Sequence, residues 1–129
     1  MNSFFTSRGA SFRYAFSGWW FVIRTQKNAW IHALASFVVI LLAVWLKLTL
    51  IEWAILILTI GSVWTAEFIN TALEAVVDLA SPQNHPLAKV GKDVGAAAVL
   101  ISALSSFIIG LMILGPPLVA RLQILFHFP

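Results

Sequence analysis

Cysteine is absent from the 129 residues, which excludes disulfide bonds, thiolate metal ligands and thiol catalysis. Charged side chains are scarce, at 10% of the chain against about 25% in ordinary soluble domains. Hydrophobic residues make up 60% of the chain, and a single small core cannot hide that much apolar surface from water. The composition therefore excludes a soluble domain and predicts one small membrane domain.

Nucleotide-binding motifs of the common kinds are also absent. The sequence has no GxxxxGK[ST] and no GxGxxG, so neither a P-loop nor a protein-kinase site is present. The net charge is only +3, and the basic residues stand at the edges of apolar runs, where anionic lipid headgroups would meet them. A membrane partner is therefore expected, and a nucleic-acid partner is not.

Four helical segments are predicted, which makes the fold class all-α. Residues 1–27 form an amphipathic surface helix, because its apolar side chains recur on one helical face at Phe12, Phe16, Trp19, Trp20 and Ile23. Residues 28–129 form the transmembrane domain, with spans at about 29–48, 51–79 and 87–115. The third span is expected to end at Gly115, where Pro116 and Pro117 follow.

The distribution of basic residues predicts the orientation of these spans. Six basic residues lie on the side of the N-terminus and of the 79–92 loop: Arg8, Arg13, Arg24, Lys27, Lys89 and Lys92. Two lie on the opposite side: Lys47 and Arg121. The positive-inside rule places the N-terminus in the cytoplasm and the chain in the inner (plasma) membrane as a multi-pass protein.

A polar stripe runs along the second span. At 100° per residue its members fall within an arc of about 100°; they are Glu67, Asn70, Thr71, Glu74 and Asp78. Asn70 and Thr71 alone fit helix–helix contacts as well as function. Three carboxylates are too costly near hydrocarbon to serve packing alone, so they indicate a functional site.

The depth of Glu67 suggests where that site lies. If the helix enters the outer leaflet near Ile51, Glu67 lies about 24 Å further on, near the cytoplasmic edge of a core about 30 Å thick. The third span brings Lys89, Lys92 and Asp93 to the same depth, and Lys89 and Asp93 are spaced as a surface ion pair. Carboxylates, an amide and a lysine at this interface suit phosphoryl transfer.

The segments EFINTALEAVVD at 67–78 and HPLAKVGKDVGAAAVL at 85–100 resemble the signature of the small prokaryotic diacylglycerol kinases, a family that includes undecaprenol kinases. The resemblance covers about residues 8–115 and is close over 67–100. It implies a homotrimer of three-span subunits with shared active sites. It also implies transfer of phosphate from MgATP to a membrane lipid alcohol, giving phosphatidate or undecaprenyl phosphate.

The resemblance also implies residue roles. Glu67 corresponds to the catalytic base, Glu74 to a metal-binding carboxylate that positions ATP, and Lys92 with Asp93 to the phosphate-handling pair; nucleotide contacts correspond to Tyr14, Gln83, Asn84 and His85. Asn70 and Asp78 complete the motif. Gln26 stands where many members have a second metal-binding glutamate, which predicts a weaker Mg²⁺ site. His32 and His127 match no motif and are interpreted as interface or tail residues.

Three hypotheses follow. The first is an ATP-dependent lipid kinase, with undecaprenol slightly favoured over diacylglycerol because HPLAK at 85–89 looks more like the Gram-positive enzymes. The second is a small ion-coupled transporter or proton relay using Glu67 and Glu74, which would place a carboxylate at the midplane. The third is a non-catalytic relative that only binds nucleotide or lipid, which Gln26 makes conceivable.

Overall fold

The computed structural model describes residues 2–81 and 85–126, with side chains described from Gly9 onward. Every element in these ranges is an α-helix: α1 spans Asn2–Thr25, α2 Lys27–Leu46, α3 Leu50–Ala80 and α4 Pro86–Phe126. The last three are long and apolar enough to cross a membrane. The prediction of an all-α membrane protein with an N-terminal helix and three spans is therefore confirmed.

The surface helix α1 is joined to α2 through one extended residue. Gln26, with φ −98° and ψ 115°, interrupts the helical path between Thr25 and Lys27. The aromatic face of α1 packs partly on α3, where the Trp19 ring stacks on Trp64 at 5.2 Å between centroids and lies 5.8 Å from Phe68. The junction therefore sets α1 against α3 and holds Gln26 between two helices.

A tight turn at residues 47–49 connects α2 to α3 at the other end of the bundle. Lys47 adopts the left-handed conformation with φ 57°, and the Leu48 N–H donates to the Ala43 carbonyl. Thr49 then caps α3 through a capping box, because its side chain accepts from the Glu52 N–H while the Glu52 carboxylate accepts from the Thr49 N–H. The chain thus reverses with its helix ends satisfied.

Helices α3 and α4 make the most extensive contact in the bundle. Near the 47–49 turn an apolar cluster of buried residues ties α2, α3 and α4 together; it comprises Ala43, Leu46, Leu56 and Leu114. Large apolar side chains elsewhere on the three long helices face outward, as expected when lipid is the solvent.

The predicted break of the third long helix at Gly115 is wrong, because α4 continues through Pro116 and Pro117 to Phe126. Each proline removes one backbone donor from the helix. Gly115 relieves part of the strain, since the clash of a proline ring with the preceding Cβ is absent at glycine. On either side of the two prolines, Leu114 belongs to the apolar cluster and Leu118 packs against it. These contacts keep this part of α4 helical.

Candidate active site

A cavity of about 230 Å³ opens between α2, α3 and α4 next to the α1–α2 junction. We call it the inner cavity. Three of its polar lining residues come from the stripe on α3 and three from the junction and the first two turns of α2; the polar residues are Gln26, Asn28, His32, Glu67, Asn70 and Glu74. The opposite wall, on α4, is apolar and includes Ala96, Val99 and Ala103.

Glu67 is the most deeply buried polar residue of the inner cavity, with 1% of its surface exposed. Its Oε2 atom has no hydrogen-bond partner among the residues that the structure describes. The nearest cationic candidate is His32, whose Nε2 lies 3.9 Å from Oε2. A buried carboxylate oxygen without a partner is costly, so its presence indicates a group that bonds to something else during function.

Asn70 and Gln26 both reach Glu74. The Asn70 amide donates to Glu74 Oε1 at 3.1 Å, and the Gln26 amide approaches Glu74 Oε2 at 3.5 Å. Residue 26 and Asn70 thus lie against the same carboxylate, one at each of its oxygens. A glutamine here donates a hydrogen bond to the carboxylate, whereas a second glutamate would repel it in the absence of a cation.

Gly95 on α4 is required for the close approach of α4 to Asn70. A Cβ placed at Gly95 would overlap Asn70 Oδ1, which is itself buried without a partner in the described part of the chain. Gly91, one turn earlier, would meet only Val77 at an ordinary 3.6 Å. Of the two glycines in the small-residue pattern, only Gly95 is sterically demanded.

A second, larger cavity of about 520 Å³ lies between the end of α3 and the start of α4. We call it the outer cavity; its polar lining residues are Asp78, Ser81, His85, Lys89, Lys92 and Asp93. Two ion pairs organise it. Lys92 bridges the helices to Asp78 at 2.5 Å, and Lys89 pairs with Asp93 at 2.7 Å within α4, as its spacing predicted.

His85 has a local structural role at the edge of the outer cavity. Its Nδ1 accepts the Leu87 N–H at 3.2 Å, and its carbonyl accepts the Lys89 N–H at 3.2 Å. These bonds satisfy two backbone donors in the first turn of α4, which begins at Pro86. The side chain nevertheless faces the cavity that contains Lys92.

The predicted site residues thus divide between two neighbouring cavities. The inner cavity is lined by Gln26, Glu67, Asn70 and Glu74. The outer cavity is lined by Asp78, His85, Lys92 and Asp93. Glu74 and Asp78 are one helical turn apart, about 6 Å along the axis, so the two cavities adjoin.

Three nucleotide contacts stay predictions. Tyr14 is 68% exposed and lines neither cavity in the protomer, while Gln83 and Asn84 lie outside the described residues. His127, which matches no motif, likewise lies outside the described residues. None of these positions contributes to the geometry above.

Sequence analysis missed His32. It was interpreted as an interface or tail residue, but it lines the inner cavity beside Glu67. A signal was available, because His32 is the only ionisable side chain in the uncharged run from Ala29 to Leu46. An ionisable group within a membrane span is by default a candidate functional residue.

Within residues 2–81 and 85–126, no three histidine, aspartate or glutamate side chains come together as a metal-ligand group. The Glu74 carboxylate is nevertheless available as a ligand, and the Asn70 and Gln26 amides, which donate N–H groups to it, would present their oxygens to a cation after turning over. Mg²⁺ commonly binds through one or two carboxylates and completes its shell with phosphate oxygens and water. The donor set therefore fits Mg²⁺ held jointly with a nucleotide.

Three membrane helices around a buried carboxylate, beside a lysine-bearing cavity, define an integral membrane enzyme with a site at one end of its bundle. The model of the prokaryotic diacylglycerol kinase family matches residues 13–114, so the chain belongs to that family. It is accordingly a membrane lipid kinase, and membership of a kinase family implies ATP as the phosphoryl donor.

Individual relatives cover most of the chain. The undecaprenol kinase of Bacillus subtilis (strain 168) is 42% identical over 118 residues, which are 92% of this chain and 93% of that protein. The diacylglycerol kinase of Synechocystis sp. (strain PCC 6803) is 45% identical over 111 residues, 85% of this chain and 63% of that protein. The diacylglycerol kinase of Escherichia coli (strain K12) is 34% identical over 89 residues, 64% and 73% of the two chains.

Proposed function

We propose that the protein transfers the γ-phosphate of ATP to the hydroxyl of a membrane lipid alcohol, with Glu67 as general base. The observation that carries this proposal is that Glu67 Oε2, on a carboxylate only 1% exposed, has no hydrogen-bond partner within residues 2–81 and 85–126. A base must hold a free lone pair towards the reacting hydroxyl, and a carboxylate used only for packing would have its oxygens bonded. Glu67 therefore accepts the hydroxyl proton as the oxygen attacks phosphorus.

The phosphates of ATP enter from the outer cavity in this proposal. Lys92 supplies a positive charge there, held in place by Asp78 on the facing helix. A compact ammonium group neutralises phosphate charge as the β,γ-bridging bond breaks. Because Glu74 stands one turn from Asp78, the γ-phosphate reaches from the outer cavity into the inner cavity.

Glu74 and Asn70 are the residues that would hold Mg²⁺. Glu74 would offer the charged ligand, and Asn70, whose amide nitrogen donates to Glu74, would offer its neutral oxygen after the amide turns over. A Mg²⁺ ion held by these residues would supply positive charge that offsets the negative charge of the phosphates. Gln26 contributes only a neutral amide at this place, so the site has one charged ligand where a glutamate at residue 26 would provide two.

We infer a polyprenol such as undecaprenol as the acceptor, with diacylglycerol as the other candidate. The support is the alignment with the B. subtilis undecaprenol kinase over nearly the full length of both chains, together with the HPLAK segment at 85–89. The comparison with the Synechocystis diacylglycerol kinase, at similar identity, keeps the second acceptor open to test.

The test is phosphate transfer from γ-labelled ATP to undecaprenol, diacylglycerol and ceramide in mixed micelles, with Glu67→Gln as the matched inactive control. Labelled lipid that appears with wild type and disappears with the control supports the kinase and ranks the acceptors. ATP binding without labelled lipid in any arm would identify a non-catalytic relative. Ion flux into liposomes that is independent of ATP would instead favour the transporter hypothesis.

We further propose a homotrimer in the plasma membrane, with the N-terminus and both cavities on the cytoplasmic side. The six-to-two distribution of basic residues supports the orientation. One three-helix protomer offers too little wall to enclose the polar stripe from Glu67 to Asp78. This supports active sites that are completed by residues of a neighbouring protomer. Mixed Glu67→Gln and Lys92→Ala protomers should then regain part of the activity, and no recovery in micelles or membranes would indicate self-contained sites.

A further inference from the structure

His32 stands where the inner cavity meets an apolar groove. The groove, about 300 Å³ in volume, runs between α2, α3 and α4 towards the 47–49 turn, and its apolar lining includes Val39, Leu56, Ile60, Val63 and Phe107. Three residues line both spaces, namely Ile31, His32 and Ala103, and His32 is the only polar one among them. At His32 the polar inner cavity therefore meets an apolar groove, an arrangement that suits a ligand with a polar end group and a hydrocarbon chain.

The spacing of His32 and Glu67 is too long for a direct hydrogen bond. Nε2 and Oε2 are 3.9 Å apart, beyond the limit of about 3.2 Å for N–H···O contacts. One oxygen atom that bonds to both groups at about 2.8 Å, with an angle of about 90–110° between the bonds, spans about 4.0–4.6 Å. The observed gap of 3.9 Å is about 0.1 Å shorter than this range, so a small side-chain shift admits a single bridging hydroxyl.

We propose that His32 is a second binding residue for the acceptor hydroxyl. Its Nε2–H donates to the hydroxyl oxygen, while the hydroxyl proton is directed at Glu67 Oε2. The hydrocarbon chain of the acceptor lies in the apolar groove below. This inference rests on the proposed function and adds to it the residue that orients the nucleophile.

The proposal assigns each atom of the reaction. One lone pair of the hydroxyl oxygen accepts from the His32 Nε2–H, and the other forms the new bond to the γ-phosphorus. The proton passes to the Glu67 carboxylate, and the bond from phosphorus to the β,γ-bridging oxygen breaks, leaving ADP. His32 transfers no proton, so its contribution is to hold the hydroxyl in the attacking orientation.

His32→Leu removes the donor while keeping an apolar body, and His32→Gln keeps a side-chain N–H. We expect His32→Leu to raise the KM for the lipid alcohol about fivefold, which corresponds to the loss of one hydrogen bond of about 1 kcal/mol, and to leave the KM for ATP within about twofold. His32→Gln should recover most of the lipid affinity. Leu34→Ala is the matched control, because Leu34 is exposed on the same helix and lines neither space.

A second measurement separates hydroxyl binding from a structural role. A hydrocarbon analogue of the acceptor, with a methyl group in place of the hydroxyl, is used as a competitive inhibitor. Its inhibition constant should be the same for wild type and His32→Leu, while the alcohol loses its advantage over the analogue only in the variant. If the alcohol and the analogue weaken equally, or if His32→Leu behaves as Leu34→Ala does, His32 does not bind the hydroxyl.

Failure of this inference is distinct from failure of the proposed function. A wild-type protein that phosphorylates none of the lipid alcohols overturns both. A wild-type protein that is active, with a His32→Leu variant of unchanged lipid KM, overturns the role of His32 alone. Unfolding temperatures of the variants in detergent, measured beside the kinetics, identify any variant whose loss comes from misfolding, and His32→Gln then carries the test.

Discussion

The polar side chains in the two halves of α3 differ in whether their hydrogen bonds are made. Near its start, Glu52 is bonded by both the backbone N–H and the hydroxyl of Thr49, each at 2.7 Å. In the second half, Glu67 and Asn70 are buried with one oxygen each left unpartnered among the described residues. One helix thus combines a completed cap with an incomplete polar cluster.

Whether a polar side chain has its hydrogen bonds made separates groups that stabilise the fold from groups available to bind a ligand. A capping carboxylate lowers the free energy of the folded state because its bonds are already made. Unpartnered buried oxygens raise that free energy, and natural proteins retain them where a ligand supplies the missing bond. Substitutions in the first half of α3 should therefore alter stability, and those in the second half should alter activity.

The largest expected effect is at Glu67. Glu67→Gln keeps the shape but removes the base, so phosphate transfer should fall by about 10²–10⁴-fold while ATP affinity is retained. The measurement is lipid phosphorylation in micelles together with ATP binding by calorimetry. A variant that keeps more than a tenth of the wild-type rate would contradict the role of Glu67 as base.

Gly95→Ala should come next, because its Cβ would overlap Asn70 Oδ1 and push α4 from α3. Overpacking costs about 1–3 kcal/mol, and displacement of Asn70 from Glu74 should lower activity about tenfold or more. Gly61→Ala is the matched control, since nothing lies within 4 Å of its Cβ position and alanine favours the helix. Equal activities of the two variants would show that the helices tolerate separation at Asn70.

The two lysines of the outer cavity offer a matched pair. Lys92 bridges to Asp78 on α3 and its side chain is 39% exposed, whereas Lys89 pairs within α4 and is 80% exposed. Lys92→Ala should raise the KM for ATP several-fold to about tenfold, and Lys89→Ala should change it less than twofold. Steady-state kinetics with ATP varied at saturating lipid decide this; a rise confined to the lipid KM would remove Lys92 from the nucleotide site.

A smaller effect is expected at Gln26. Gln26→Glu adds a second carboxylate beside Glu74, which should lower the free Mg²⁺ needed for half-maximal rate several-fold. Glu74→Gln, which removes the charged ligand, should instead leave almost no activity. Mg²⁺ titrations at fixed ATP provide the comparison. An unchanged or higher Mg²⁺ requirement in Gln26→Glu would place residue 26 away from the metal.

The smallest effect concerns the completed cap. Thr49→Ala should lower the free energy of unfolding by about 1 kcal/mol, because the Glu52 N–H loses its side-chain acceptor. The specific activity of the folded protein should not change. Thermal unfolding followed by circular dichroism in detergent, beside the kinase assay, measures both quantities. Loss of activity without loss of stability would contradict the division between the halves of α3.

Helical periodicity and span length were enough to predict four helices and the polar stripe, because both depend on local spacing. The interrupted helix predicted at Pro116 and Pro117 is absent for a reason that local rules do not contain, since contacts of Leu114 and Leu118 with the apolar cluster outweigh the lost donors. His32 was missed in the same way. Its proximity to Glu67 arises from the packing of α2 against α3, which spacing within either helix does not encode.

The stack of Trp19 on Trp64 joins the surface helix to the spans next to Ser36, which accepts the Trp64 N–H at 3.3 Å. Two indole rings that are nearly parallel, at 16° between their planes, couple their electronic transitions. The docked position of α1 therefore has its own optical signature in the near-ultraviolet dichroism of the protein. Any event that lifts α1 from α3 changes that signal without a label, so the movement of the lipid-facing helix is readable from the protein itself.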